Sequence, residues 1–79
     1  MKPDYDFLIK LGNKIRELRI EKGMTQADLA AKVGKDYQSI QRVERGVVNS
    51  SIQYLREIAE GLEITTDELI SNIDDSKSI

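Results

Sequence analysis

The stretch GMTQADLAAKVGKDYQSIQRVERG, residues 23–46, decides how the chain is read. It holds two helix-sized segments separated by the short link Gly34-Lys35-Asp36. The first opens at Thr25, whose hydroxyl suits an N-cap, with Asp28 three residues later and the apolar pair Met24 and Leu29 placed to pack across the helix start. It then offers Leu29, Ala30 and Val33 for burial. The second runs from a cap at Asp36 to a stop at Gly46. At about 100° per residue, Ile40 and Val43 fall on one side of it, while Tyr37, Gln38, Gln41, Arg42 and Arg45 gather on the other. Phenol, amide and guanidinium groups are poor choices for solubility alone, which Lys and Glu provide with less adhesion. That face is therefore expected to touch a partner. Asp36 beside it would repel phosphate unless its carboxylate is engaged, and capping of the free N–H groups at a helix N-terminus is the expected engagement.

Outward from this stretch the pattern stays helical. Upstream, Phe7, Leu8, Leu11, Ile15 and Leu18 recur at spacings of three and four and form one apolar stripe. Gly12 interrupts it at a cost of roughly 1 kcal/mol relative to Ala, which points to close packing there. Downstream, a fourth helix is expected from near Ser50 with Ile52, Leu55, Ile58, Ala59 and Leu62 inward. A fifth opens at Thr65, where Glu68 completes a capping box and Ile64 with Leu69 a second staple. Gly23, Gly34, Gly46 and Gly61 are each expected to close a helix in the left-handed conformation. No alternating run or hairpin dipeptide is present, and the single Pro sits at position 3. The reading is a compact all-α domain of five helices over residues 1–72, with residues 73–79 a frayed polar tail.

Composition narrows the function classes. Seventy-nine residues support one small core, and with no Cys and no His there is neither a disulfide framework nor a conventional zinc or transition-metal site. No phosphate-cradling glycine loop and no evident pair of catalytic carboxylates is found, so the chain is not expected to be an enzyme, to carry a cofactor or to bind a small-molecule substrate. No apolar run approaches the roughly 18 residues that span a membrane, and the start MKPDYDFLIK is too acidic for a signal peptide. A cytoplasmic protein without membrane contact is expected. Net charge is -2, yet residues 1–46 hold ten Lys+Arg against seven Asp+Glu (+3), and residues 47–79 hold two against seven (-5). Such asymmetry fits a basic working face and an acidic rear.

Two helices joined by a tight turn containing Gly match the helix-turn-helix, whose second helix lies in the DNA major groove. There, Gln and Arg can satisfy base edges bidentately and a Tyr ring can contact a thymine methyl. The stretch 23–46 resembles the helix-turn-helix of the phage repressor and Cro-like family, also called the XRE family. The flanking LGNKIRELR and LREIAEGLEITTDELI resemble that family's first and last two helices, so the resemblance spans roughly residues 8 to 71. It implies a five-helix, lambda-repressor-like DNA-binding domain with the helix-turn-helix at helices 2 and 3. The implied function is sequence-specific transcriptional regulation, usually by a homodimer on a palindromic double-stranded operator.

Carried over by position, Tyr37, Gln38, Gln41 and Arg42 stand where the family reads bases. Gln26 stands where it meets a phosphate while bracing the recognition helix, and Arg45 and Asn49 would lie near the DNA backbone. Lys35, with Lys14, Arg16 and Lys32, would add general attraction to phosphate. Arg19 and Glu44 resemble a partly buried ion pair tying helix 1 to helix 3. One departure is the loop VVNSS, which lacks the Pro that many members have before helix 4. Leu69, Ile70 and Ile73 exceed what one small core is expected to absorb, which makes them candidates for a dimer contact, with simple core packing of two of them as the alternative. Together with the acidic second half they motivate an alternative: a protein-interaction module, such as an antitoxin whose main partner is another protein.

Overall fold

The computed structural model describes residues 4–71 and 73. Every helix starts on a side-chain cap. Asp4 accepts the Phe7 N–H at 3.1 Å to open α1 (Tyr5–Glu21). Thr25 and Asp28 bond reciprocally, at 3.0 and 2.9 Å, to open α2 (Gln26–Val33). Asp36 opens α3 (Tyr37–Arg45), Ser51 opens α4 (Ile52–Gly61), and Thr65 with Glu68 forms a second capping box at α5 (Thr66–Ile70). Each cap satisfies N–H groups that have no partner within the helix and contributes about 1 kcal/mol. The expected start near Ser50 falls one residue early.

The apolar stripes determine how the helices meet. α1 lies against α3 and α5, α2 against α3 and α4, and α4 against α5. Each helix sends one fully buried aliphatic side chain to the centre: Ile15, Leu29, Ile40, Ile58 and Leu69, with Leu62 from the C-cap of α4. Burying such a side chain stabilises the fold by about 1.5–3 kcal/mol relative to leaving it in water. Phe7, Leu18, Met24, Val33 and Ile64 pack half-buried at the edge of this cluster.

Three expectations are corrected here. Gly61 does not turn the chain; it lies inside α4, buried, where a Cβ would overlap Val33 Cγ1, so its role is to let α4 approach α2. The left-handed residue that ends this segment is Glu63, at φ +62°. Ile52 is 68% exposed rather than inward, because it is the first residue of α4 and that turn overhangs the core, which α4 meets from Tyr54 and Leu55 onward. Leu69 and Ile73, at 0% and 8% exposure, pack into the core, Leu69 from α5, which lies against α1 and α4, and Ile73 from beyond the end of that helix, so the core-packing alternative describes these two. Of that trio only Ile70 keeps partial exposure, and it too packs against the core. Burial of Ile73 also takes that residue out of the expected frayed tail; residues 74–79 lie outside the described residues. Among the described residues no helix is long and apolar enough to cross a membrane.

Candidate nucleic-acid interface

The outward face of α3 is composed as its periodicity dictates. Ile40, Val43 and Glu44 are buried, while Tyr37 is 46% exposed and Gln38, Arg42 and Arg45 are exposed. Gln41 is half-buried at the margin of that face, and Asn49 is exposed in the loop that follows. Asp36 accepts the Ser39 N–H on Oδ1 at 2.7 Å, so its charge is engaged at the positive end of the helix, as expected. Gly34 and Gly46, at φ +68° and +75°, end α2 and α3 in the left-handed region, which an L side chain enters only at a cost.

Behind that face sits a buried charged lock. Arg19 Nε donates to Glu44 Oε2 at 2.7 Å and Nη2 to Oε1 at 3.0 Å, a bidentate pair with the two residues 7% and 6% exposed. Arg19 Nη1 also donates to the Met24 carbonyl at 2.8 Å, and Gln26 Nε2 donates to Glu44 Oε1 at 3.0 Å. The hydrogen bond to Glu44 raises the Arg19 pKa above its already high value, against the opposing effect of burial, so the guanidinium stays charged. The lock joins α1, the start of α2 and the last turn of α3. The bracing implied for Gln26 is thus present, with Glu44 as the group it braces. Close helix approach completes the hold: a Cβ on Gly12 would lie 2.5 Å from the Val43 carbonyl oxygen, and one on Gly46 would lie 2.6 Å from Ile9 Cα.

The lysines are less free than sequence reasoning makes them. Lys35 Nζ pairs with Glu57 Oε1 at 2.5 Å and stands 5.0 Å from the centroid of the Tyr54 ring. The hydrogen bond from Lys35 holds the Glu57 carboxyl below its ordinary pKa. A phosphate reaching Lys35 would have to displace that carboxylate. Lys32 pairs with Glu63 at 3.1 Å, and Lys14 Nζ donates to the Glu68 and Ser71 carbonyls, both at 2.7 Å, closing the end of α5. None of these partners is legible locally, because 22, 31 and at least 54 residues separate them along the chain. Among the described residues Arg42 and Arg45 carry no ion pair, so their guanidinium groups are available to an outside anion or base edge. A face of one phenol, two amides and two unpaired guanidinium groups on a rigidly held helix can donate and accept as major-groove base edges require.

Comparison with known proteins agrees with this geometry. The family model HTH_3, described as helix-turn-helix, matches residues 15–69. The control protein C.MunI of a Mycoplasma species is 39% identical over 70 residues, which cover 87% of this chain and 95% of that protein. The restriction-modification controller protein C.AhdI of Aeromonas hydrophila is 40% identical and superposes with a TM-score of 0.76, covering 78% of this chain and 94% of its own. The controller C.Esp1396I, seen as a tetramer in complex with its natural 35 base-pair operator, is 36% identical with a TM-score of 0.79, covering 87% of this chain and 91% of its own.

Proposed function

The chain belongs to the helix-turn-helix family of DNA-binding transcriptional regulators, which are not enzymes, and on that premise we propose that it reads a specific double-stranded operator as a homodimer in the cytoplasm. In this reading α3 enters the major groove. Arg42, Gln38, Gln41 and Tyr37 read base edges, and Arg45, Gln26 and Asn49 meet phosphates. The observation that carries it is the exposed amide and guanidinium face of α3, on a helix whose buried side is locked by Arg19 and Glu44. Two copies related by a two-fold axis would present their α3 helices about 34 Å apart, on successive major grooves of a palindromic site. The relatives matched over nearly their whole lengths support a narrower reading, in which the operator controls the genes of a restriction-modification system.

Selection of bound duplexes from a random pool tests this directly. The expected product is a palindromic consensus. Against it, Arg42→Ala and Gln38→Ala each weaken binding by about 1–3 kcal/mol and relax the preference at particular bases, while Arg45→Ala weakens all duplexes alike and lowers the salt slope by about 1. Equal losses on consensus and random DNA for Arg42→Ala and Gln38→Ala would remove them as readers. The protein-partner alternative loses its apolar motive, because Leu69 and Ile73 are already in the core.

A further inference from the structure

The recognition helix is held in unlike ways at its two ends. Its last turn is fixed by the buried Arg19–Glu44 pair and by the close contacts at Gly12 and Gly46. Its first turn carries Tyr37 and Gln38, and there the contact with α4 is made by side chains, since the backbone of α3 lies against α1 and α2. The Ser39 hydroxyl meets the Tyr54 hydroxyl at 2.6 Å. The Ser39 N–H is already taken by Asp36, which fixes the residue and leaves its side chain to α4. Over the Tyr54 ring stands Lys35, the residue before the α3 cap, and its ammonium is held by Glu57, three residues beyond Tyr54 and so on the same face of α4. Tyr54 is itself anchored, since its N–H donates to the Ser51 cap at 3.0 Å and its ring packs against the core.

We propose that Tyr54, seconded by Glu57, is a positioning residue for base reading. Through Ser39 and Lys35 it sets where the first turn of α3 stands relative to the groove, without touching DNA itself. Lys35 is in this view a strut between the helix-turn-helix and α4 more than a phosphate ligand. The inference rests on the DNA-reading role of α3 and adds to it a residue on a helix that does not enter the groove. A bond that only stabilised the fold would change the folded fraction, and would lower binding to every duplex in equal proportion. A positioning bond changes the ratio between a preferred duplex and a scrambled one.

The test compares the parent with Tyr54→Phe, Ser39→Ala and the double variant. Each is titrated against the duplex recovered from a random pool and against a shuffled duplex of the same base composition, with a thermal melt alongside. Tyr54→Phe keeps the ring, its core contact and its place under Lys35, so the fold is retained, and Ser39→Ala removes the same bond from the other side. The preferred-to-shuffled ratio is expected to fall about 3–10-fold in each single variant, the scale of one neutral hydrogen bond, while affinity for the shuffled duplex and its salt slope hold. The double variant is expected to fall no further than either single one, because both remove one shared bond. An unchanged ratio in the single variants, or a double variant that sums them, overturns the positioning role while leaving α3 as the reader. A parent that binds both duplexes alike overturns the reading of α3, and this inference with it.

Discussion

Replacing Glu44 by Ala removes the anion from a guanidinium that is 7% exposed and leaves it the Met24 carbonyl at 2.8 Å as its remaining partner. Breaking one side of a buried pair costs about 3–5 kcal/mol, and the surviving carbonyl bond places Glu44→Ala near the lower end, about 3 kcal/mol. At about 0.05–0.15 kcal/mol per residue the whole domain is stable by only about 4–12 kcal/mol, so this one change removes a quarter or more of the total. With a urea dependence of about 1 kcal/mol per molar for so small a domain, the midpoint should drop by about 3 M. The paired replacement Arg19→Met with Glu44→Leu removes both charges while keeping the volume, and should return to within about 1 kcal/mol of the parent. Urea titrations followed by helical circular dichroism on the parent, Glu44→Ala, the single variants Arg19→Met and Glu44→Leu, and the pair complete the cycle. A loss below about 1 kcal/mol for Glu44→Ala would make the pair no better than a surface contact. A paired variant that lost the sum of the two singles would refute the argument that an unpartnered buried charge is what costs.

Gly12→Ala drives a Cβ toward the Val43 and Glu44 carbonyls and should cost about 1–3 kcal/mol in a melt, with weaker binding to the selected duplex because α3 must shift. Glu63→Gly relieves a left-handed side chain at φ +62° and gives up an exposed pair with Lys32, so a net gain of about 0.5–1 kcal/mol is expected, and a loss would mean the pair matters more than the backbone. Four carboxyls have folded pKa values below the ordinary range: Asp28 and Glu68 through the backbone N–H groups of Thr25 and Thr65, Glu57 and Glu63 through hydrogen bonds from Lys35 and Lys32. Their contribution is full above the ordinary carboxylate pKa and lost as pH falls through the lowered values, so the urea midpoint should hold down to mildly acidic pH and then decline, and a rise on acidification would contradict the assignment. Glu57→Gln should release Lys35 and raise affinity for the shuffled duplex with a steeper salt dependence, which unchanged binding would exclude.

The parts of the molecule that were legible in sequence are those set by neighbours within one helix. The outward face of α3 follows from where Ile40 and Val43 must point, and the caps at Thr25, Asp36 and Thr65 follow from local chemistry. Ser50 and Ser51 are chemically equivalent caps, so the start of α4 was readable only to within a residue. Ile52 shows the limit of periodicity: it sits at the right spacing but on a turn that projects past the core. For Leu69 and Ile73 the sequence left dimer contact and core packing both open, because it carries no measure of how much room the helices around the C-terminal segment leave. Gly61 looks like a terminator and is a packing residue, a difference that only the position of Val33 reveals. The Arg19–Glu44 pair joins residues 25 apart and entered the sequence reading through the family resemblance, whereas the Ser39–Tyr54 and Lys35–Glu57 contacts had no local signal at all.

Charge shows why that distinction matters for binding. The basic first half and acidic second half of the sequence do not become two separate faces, because the fold brings Glu57 to Lys35 and Glu63 to Lys32. Lys14 is engaged with the carbonyls that end α5, and Arg19 with Glu44. Among the cations left without an ion pair in the described residues, Arg42 and Arg45 lie on the face that also carries Tyr37 and Gln38. Arg16 and Lys22 are also exposed without an ion pair, so the pairing of the lysines thins the attraction to phosphate elsewhere but does not confine it to the face where bases would be read. With so few phosphates neutralised per copy, sequence-independent affinity should be weak and its salt slope shallow. Discrimination then rests on the geometry of α3, and a second copy acting on the same duplex doubles both the phosphate contacts and the bases read. A chain of net charge -2 can serve as a DNA-reading regulator on those terms, because the groups proposed to read bases lie together on one nine-residue helix and those proposed to meet phosphate, Arg45, Gln26 and Asn49, lie on it or on the segments beside it.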